Sequence, residues 1–337
     1  MTGREERWSR RAARNLFPPH PEERPKGRVS KDGAASCFET HAFRVLLSMR
    51  PIRLDSRLRG NERVGDALPM TKAFLAALSL FLFATPAFAA QCGGNFGTFL
   101  GQMAREAQSA GVSRGVIDQA LAGVTPDPAV LAFDRRQRGM FHSKSFEEYA
   151  RTRVIPARIK RAAGLMQKHA QLLARIERQF GVPPAVIVAI WTLESDNGTG
   201  DMGRLPVVRT LATLAHDCRR TELFQGELIA ALKILQRGDL PLRELIGAYA
   251  GEIGQTQFLP SSYIKYGVDY DGNGHVDLRH SVPDVLASTA NLLKTSGWRA
   301  GAPFGEGSEN FQAMREWNRS ELYRKTIVLF AERLSGR

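Results

Sequence analysis

The feature that most constrains this chain is a segment of secretory type that begins at Met70 instead of at the N-terminus. Lys72 supplies a positively charged start, residues 74–83 form a short apolar stretch, and Ala87-Phe88-Ala89 is typical of a cleavage site. The apolar stretch is about half the length that a helix needs to cross a bilayer. The segment therefore predicts export and removal of residues 70–89, with no stable membrane span.

Residues 1–69 lie upstream of this signal and do not resemble part of a fold. They are rich in arginine, carry little helical or strand periodicity, and are interrupted by prolines. The simplest explanation is an over-long gene assignment with Met70 as the true start; the alternative is a disordered basic arm. Either way, we place the folded domain in residues 90–337.

The charge of the chain changes with this boundary. Residues 1–69 hold 15 basic and 9 acidic side chains and Lys72 adds one more, so residues 90–337 carry a net charge of +6, not +13. Moderate basicity suits an anionic polymer as partner. It would also suit nucleic acid, but the sequence contains no recognised nucleic-acid module, and export argues against that class.

The cysteines fit an exported domain. Cys37 falls in the excluded segment, which leaves Cys92 and Cys218 as an even pair in an oxidising compartment. We expect a disulfide between them, the alternative being two unpaired thiols.

Apolar periodicity predicts a mainly α fold (α+β) with a small loop-rich or β-rich lobe. Gly251 to Arg279, rich in Gly, Gln, Ser and Asp, is the predicted lobe, with room for a small β-ribbon. Helices are predicted elsewhere, over residues 96–110, 113–121, 158–180, 185–193, 207–215, 222–235, 242–249, 282–293 and 321–334. The charged run at residues 158–161 is predicted to lie on a solvated helix face.

Glu194 is the first candidate for chemistry. It ends the apolar helix opened by Pro183-Pro184, on the same face as Ile187 and Ile190. A carboxyl on such a surface is desolvated, which raises its pKa and keeps it protonated as a general acid for glycosidic cleavage requires. Taken alone, a glutamate in this position is more often the first solvated residue after a helix.

A second segment favours a catalytic role for Glu194. Residues 251–263, Gly-Glu-Ile-Gly-Gln-Thr-Gln-Phe-Leu-Pro-Ser-Ser-Tyr, set glycines beside neutral donors and acceptors, which suit sugar hydroxyls and N-acetyl groups. Together with Glu194-Ser195, this segment resembles the membrane-bound lytic transglycosylase B family of the lysozyme-like superfamily. The resemblance runs from about Phe96 to Arg337 and includes Asp134-Arg135-Arg136-Gln137, the pair Arg219-Arg220 and Asn318-Arg319-Ser320.

The resemblance implies a lysozyme-like fold and a periplasmic enzyme that cleaves peptidoglycan glycan strands. Glu194 matches the catalytic acid/base of the family. The positions that match substrate-binding residues are Ser195, Gln257, Tyr149, Arg219 and Arg220, with Trp317 and Tyr323 as aromatic surface for sugar rings. Two positions depart from the pattern: Ala248 stands where a serine is often found, and Asn197 where an aromatic residue is common.

Residues 269–277 form a third motif. Asp269, Asp271, Asn273, His275 (through its carbonyl) and Asp277 alternate as in the calcium loop of an EF-hand, with glycine at the sixth position. Position twelve is His280 instead of a glutamate, and the resemblance offers Asp284 as the later carboxylate. We expect a structural calcium ion here; the alternative is a metal-free turn.

The expected reaction uses one glutamate. Ordinary glycosidases pair the acid with a second carboxylate, but Asp196 should point away from Glu194 on a helix, and no other carboxylate stands in an obvious position in the two motif segments. The resemblance implies that the muramyl 6-hydroxyl attacks in place of water. A hydrolytic muramidase, a non-catalytic wall-binding protein and a calcium-sensing module are the competing hypotheses.

Overall fold

The computed structural model describes residues 90–136 and 145–336. In these ranges the chain forms thirteen α-helices and one two-stranded sheet, so the prediction of a mainly α fold is confirmed. The helices are α1 (Phe96–Ser109), α2 (Arg114–Leu121), α3 (Pro128–Arg136), α4 (Phe146–Arg153), α5 (Pro156–Lys168), α6 (Ala170–Phe180), α7 (Pro184–Ser195), α8 (Val207–His216), α9 (Thr221–Arg237), α10 (Pro260–Tyr266), α11 (Val282–Thr295), α12 (Glu309–Trp317) and α13 (Glu321–Leu334).

Side-chain caps set where several helices begin. Ser113 accepts the N–H of Val116 at the start of α2, as the sequence predicted. Ser308 and Ser320 do the same for α12 and α13. Each such cap satisfies a backbone donor that the first turn leaves without a partner, and contributes about 1 kcal/mol.

Helix α7 lies at the centre of the core. Every residue from Ala185 to Ser195 is buried, and the helix packs against α13, α5, α11 and α6. Prolines at 183 and 184 fix its start, and Asp196 in the left-handed region (φ 50°) ends it. A helix that is apolar on nearly every face is stable only when it is covered on every side.

The sheet is small. β1 (Leu205–Pro206) pairs antiparallel with β2 (Ile246–Gly247), in the register Leu205 to Gly247. The ribbon predicted within residues 251–279 is limited to one isolated bridge between Ile253 and Phe258.

Two predicted helices differ from the structure. The helix expected over residues 158–180 breaks at His169 into α5 and α6, because α5 packs on α7 and α13 whereas the apolar face of α6 packs mainly on α11. The helix expected over residues 242–249 is wrong: a 3₁₀ turn (Leu242–Glu244) leads into β2. Gly247 lies so close to the carbonyl oxygen of Glu252 that a Cβ atom would stand 2.0 Å from it.

Cys92 and Cys218 form a disulfide with 5.0 Å between their Cα atoms, which confirms that prediction. It ties the start of the described chain to the turn between α8 and α9. The predicted boundaries at residues 69 and 89, with the signal segment, lie outside the described residues.

Candidate active site

The carboxyl group of Glu194 lies in the core and receives two hydrogen bonds on one oxygen. The residue is 2% exposed. The indole Nε1 of Trp317 donates to Oε1 at 3.0 Å, and the hydroxyl of Tyr323 donates to the same oxygen at 2.7 Å. Two fixed donors orient the carboxyl and stabilise it when it carries a negative charge.

These two donors come from the corner between α12 and α13. Trp317 ends α12, and Tyr323 lies in the first turn of α13. The guanidinium of buried Arg324 bonds the carbonyl oxygens of Asn318 (3.2 Å) and Arg319 (2.9 Å). It therefore fixes the backbone that separates the two donors.

The position of these rings differs from the sequence expectation. Trp317 is 0% and Tyr323 2% exposed, so neither offers an open aromatic face in this structure. Instead, their polar edges meet Glu194. The sequence contains both residues but gives no sign of this contact, because the partners are 123 and 129 positions apart.

The turn after Glu194 is held on its outer side by two arginines. Asp196 accepts hydrogen bonds from Arg158 Nε (2.7 Å) and Arg161 Nη2 (2.9 Å), and Arg158 Nη2 also donates to the carbonyl oxygen of Thr192 (2.6 Å). Asp196 therefore forms ion pairs with both arginines. The prediction that Arg158 lies on a solvated face is wrong, because its side chain is largely buried. A cation at the carbonyl end of a helix is favourable.

The two motif segments meet through Gln255. Its side-chain oxygen accepts the indole N–H of Trp191 on α7 (2.8 Å), and its amide donates to the carbonyl oxygen of Arg279 (2.9 Å). Gly198 lies against the same side chain, where a Cβ would stand 2.5 Å from Gln255 Oε1. The glycine at 198 is therefore required for this close approach, at φ 78°.

Phe258 completes the connection. Its ring packs edge-to-face on Trp317, with 5.4 Å between centroids, an arrangement favoured by aromatic quadrupoles. The Gly-rich segment therefore supports the indole that binds Glu194.

Gln257 and Ser195, predicted to bind substrate, are both buried. Gln257 adopts the left-handed conformation (φ 53°), and its amide donates to the carbonyl oxygens of Gly254 (2.8 Å) and Met202 (3.3 Å). Ser195 Oγ accepts the N–H of Gly198 (2.8 Å). Both side chains shape the loops next to Glu194.

The two departures from the family pattern are also buried. Asn197 has φ 63° and its amide donates to Thr192 Oγ1 at 3.0 Å. Ala248 is 0% exposed, and its N–H bonds the carbonyl oxygen of Glu252 (2.9 Å).

Arg219 and Arg220 share one carboxylate partner. Each forms an ion pair with Asp134 of α3, and Arg220 also lies over the ring of Phe224. Desolvation lowers the pKa of both guanidinium groups to about 10. In this structure the pair binds α3 to the turn between α8 and α9.

Tyr149, which was also predicted at the site, is buried in α4. The guanidinium of Arg153 lies over its ring, with the Cζ atom 3.6 Å from the ring centroid.

Glu252 is a buried carboxyl that the sequence interpretation passed over. It lies in the second motif segment, is 1% exposed and accepts the N–H of Ala250 at 2.9 Å. Burial raises its pKa to about 7. The backbone N–H groups of Glu252 and Ala250 and the charge of Arg220 act in the opposite direction. A glutamate between Gly251 and Ile253 was the only available signal.

The predicted metal motif brings three carboxylates together. Oxygen atoms of Asp269, Asp271 and Asp284 lie within 4.8 Å of one another. The side chain of Asp277 has other partners, since its Oδ1 accepts the N–H groups of Arg279 and His280. The side chain of Asn273 accepts the N–H of His275 (2.9 Å).

Backbone N–H groups hold the cluster in place. Asp284, fully buried, accepts those of Tyr270 and Asp277, both at 2.8 Å, yet burial is the dominant effect and raises its pKa. Asp269 accepts three backbone N–H groups, of which that of Gly274 is the main cause of its lowered pKa.

Comparison with known proteins identifies the family of this chain. Residues 95–308, more than half of the chain, match the transglycosylase SLT domain family. Membrane-bound lytic murein transglycosylase B of Escherichia coli (strain K12) is 37% identical over 155 residues, which cover 45% of this chain and 42% of that protein. The match thus spans less than half of that relative's length.

Solved structures extend the comparison over more of the chain. SltB3 from Pseudomonas aeruginosa in complex with NAG-anhNAM-pentapeptide has a TM-score of 0.67 at 32% identity, covering 72% of this chain and 80% of that one. The Escherichia coli lytic transglycosylase Slt35 in complex with calcium shares the fold, with a TM-score of 0.63 at 24% identity and coverage of 73% and 96%. This chain belongs to the transglycosylase SLT domain family.

Proposed function

We propose that this protein is a lytic transglycosylase that cleaves the β-1,4 bond between N-acetylmuramic acid and N-acetylglucosamine in peptidoglycan. The observation that carries the proposal is the buried carboxyl of Glu194, held by Trp317 and Tyr323 through one oxygen. Two similarities support it: the curated relative is named a lytic murein transglycosylase, and SltB3 binds a peptidoglycan fragment with an anhydro-muramyl end.

The chemistry needs one proton donor that becomes a base. Glu194 protonates the glycosidic oxygen, and the bond from the muramyl anomeric carbon to that oxygen breaks. The electron pair stays on the oxygen, which leaves as the 4-hydroxyl of N-acetylglucosamine. The carboxylate then accepts the proton of the muramyl 6-hydroxyl, whose oxygen bonds the anomeric carbon to form a 1,6-anhydro ring. No water is consumed. The substrate's own acetamido group can assist the first step.

Trp317 and Tyr323 have a defined part in this cycle. Both donate to Glu194 Oε1, so they stabilise the carboxylate formed by the first proton transfer and keep it oriented for the second. Because both rings are buried, they act through Glu194 and so are positioning residues.

The other two carboxylates of the motif segments have other partners. Asp196 is paired with Arg158 and Arg161, and Glu252 accepts the N–H of Ala250. We therefore assign both proton transfers to Glu194 alone.

The substrate-binding roles of Ser195, Gln257, Tyr149, Arg219 and Arg220 remain part of the proposal. The net charge of residues 90–337 supports an anionic glycan with carboxylate-bearing stem peptides as partner.

Calcium is the metal that the Asp cluster would take. Three carboxylates within 4.8 Å supply hard oxygen ligands, and the buried charge of Asp284 lacks a paired cation among the described residues. Asp269, Asp271 and Asp284 would hold the ion, whose contribution is to stabilise the lobe that carries the Gly-rich segment. Asn273, Asp277 and the carbonyl of His275 are the further ligands suggested by the sequence.

We place the protein in the periplasm, exported by residues 70–89. The Cys92–Cys218 disulfide supports an oxidising compartment. No helix within the described residues is both long and apolar enough to span a membrane.

The test is mass spectrometry of material released from purified cell-wall sacculi. The proposal predicts muropeptides with 1,6-anhydro ends. Reducing ends would assign a hydrolytic muramidase on the same scaffold. Binding to sacculi with no release would assign a non-catalytic wall-binding protein.

A further inference from the structure

The start of the described chain is held through several of its polar backbone groups. The N–H of Ala90 donates to the Glu106 carboxylate, and its carbonyl oxygen accepts from Gln225 Nε2 at 2.5 Å. The N–H of Gln91 donates to Gln102 Oε1 (2.8 Å). Ala90 itself is 4% exposed. The position of residue 90 is therefore fixed by hydrogen bonds at both its backbone nitrogen and its carbonyl oxygen.

The next residues continue this contact. The N–H of Gly93 donates to the carbonyl oxygen of His216 (2.8 Å), and Cys92 is joined to Cys218. The segment thus lies between α1, which carries Glu106, and the region of α8 and α9, which carries Gln225. A chain shifted by one residue would lose the match at position 90, because its nitrogen and oxygen would no longer face these two partners.

The charge of Glu106 is not balanced by this arrangement. Burial is the main influence and raises its pKa, and the opposing influence is the N–H of Ala90. Among residues 90–136 and 145–336, Glu106 forms no ion pair, although Arg105 is its neighbour in sequence. A partly buried carboxylate with a neutral donor still lacks a balancing positive charge.

Processing at this position would supply that charge. Hydrolysis of the Ala89–Ala90 peptide bond by an export peptidase consumes one water and leaves a carboxylate on Ala89 and an amine on Ala90. A free α-amine has a pKa of about 7.7–8.0 and is mostly protonated at neutral pH. The nitrogen that now donates as an amide would then carry a positive charge against Glu106.

We propose that α1 and α9 form a built-in docking site for the cleaved N-terminus, in which the α-ammonium of Ala90 pairs with Glu106 and Gln225 binds the carbonyl oxygen of Ala90. The inference rests on the export and cleavage proposed above, but not on the glycan chemistry. Its direct consequence is an amine with a raised pKa. The added stability is fully present below about pH 7.7 and is lost as pH rises through the folded-state pKa of the amine.

The experiment uses the complete chain, expressed with export in a Gram-negative host and purified from the periplasm. Intact mass and N-terminal sequencing identify the first residue, which we expect to be Ala90. The α-amine is then labelled with acetic anhydride at pH 7, and its rate of acetylation is measured by peptide mapping. Wild type should react at least about tenfold more slowly than Glu106→Gln, since one unit of pKa changes the unprotonated fraction tenfold.

Glu222→Gln is the matched control, because Glu222 is an exposed glutamate on α9 and should leave the rate unchanged. Should Glu106→Gln fold poorly, the pH dependence of acetylation in wild type gives the amine pKa directly, and a value above about 8.0 supports the pairing. A different first residue overturns the proposal, and so does Ala90 with equal rates in the two proteins or with an unraised pKa. Lytic activity is scored separately, so an inactive protein with a protected Ala90 amine would count against the glycan chemistry alone.

Discussion

Glu194 and the Asp cluster at 269, 271 and 284 both collect hydrogen bonds on carboxylates, but with different donors. Glu194 lies in the core and is met by the side chains of Trp317 and Tyr323. The cluster is met largely by backbone N–H groups of its own loop. Side-chain donors from a distant corner can orient one carboxyl for proton transfer. Backbone donors in a tight loop hold several like charges together, where a cation would complete the site.

Glu194→Gln tests the first half of this contrast and should have the largest effect. Loss of the proton donor removes both chemical steps, so we expect lytic activity to fall at least about a thousandfold. Turbidity clearing of sacculi measures it, with Glu177→Gln, an exposed glutamate on α6, as the control. Activity above a few per cent in a variant with unchanged melting would show that another group transfers the proton.

Tyr323→Phe removes one donor without changing the packing. We expect kcat to fall about tenfold to hundredfold with little change in KM, because the ring is buried and acts on Glu194. The control is Tyr263→Phe, since the hydroxyl of Tyr263 donates to the carbonyl of Val276 in the Asp loop. A loss confined to KM, or an equal kcat loss in both variants, would contradict a positioning role for Tyr323.

Glu252 sharpens the comparison because it is a buried carboxyl with a backbone donor but no known metal partner. Its folded pKa is raised to about 7, so stability should be fully present below about pH 4.5 and be lost as pH rises towards 7 and above. The loss is on the order of 3 kcal/mol. Urea unfolding of wild type and Glu252→Gln at pH 5 and 8 measures it; the variant should lose this slope. If the free energy of unfolding changes equally with pH in wild type and Glu252→Gln, Glu252 is not a buried, neutral carboxyl.

Calcium should act on the second region and leave the first unaffected. Binding to the folded state at a hundredfold excess over Kd adds about 2.7 kcal/mol, which we expect as a rise of several degrees in melting temperature with millimolar calcium against chelator. Asp271→Ala should abolish the rise, whereas Asp118→Ala, an exposed carboxylate on α2, should retain it. If calcium leaves the melting temperature of the wild type unchanged, the loop is a metal-free turn.

The sequence predicts those parts of the site that depend on local pattern. Apolar periodicity and paired prolines place Glu194 at the end of a buried helix, and the motif at residues 251–263 indicates what lies beside it. The donors Trp317 and Tyr323 depend on where α12 and α13 pack, over more than a hundred residues of separation. No local pattern carries that information.

The errors have the same origin. Arg158 belongs to a charged run that looks solvated, but the end of α7 supplies the Asp196 carboxylate and the Thr192 carbonyl oxygen as its partners. Residues 242–249 have helical periodicity, yet pairing with β1 and the close approach at Gly247 exclude a helix there. In both cases tertiary contacts override the local preference.

The central claim is that Glu194 directs the muramyl 6-hydroxyl, and not water, to the anomeric carbon. Digestion of sacculi in water enriched in ¹⁸O, followed by mass spectrometry of the released muropeptides, tests it most directly. The account predicts 1,6-anhydro ends that carry no ¹⁸O. Reducing muramyl ends with one ¹⁸O atom at the anomeric position would contradict it and assign a hydrolase.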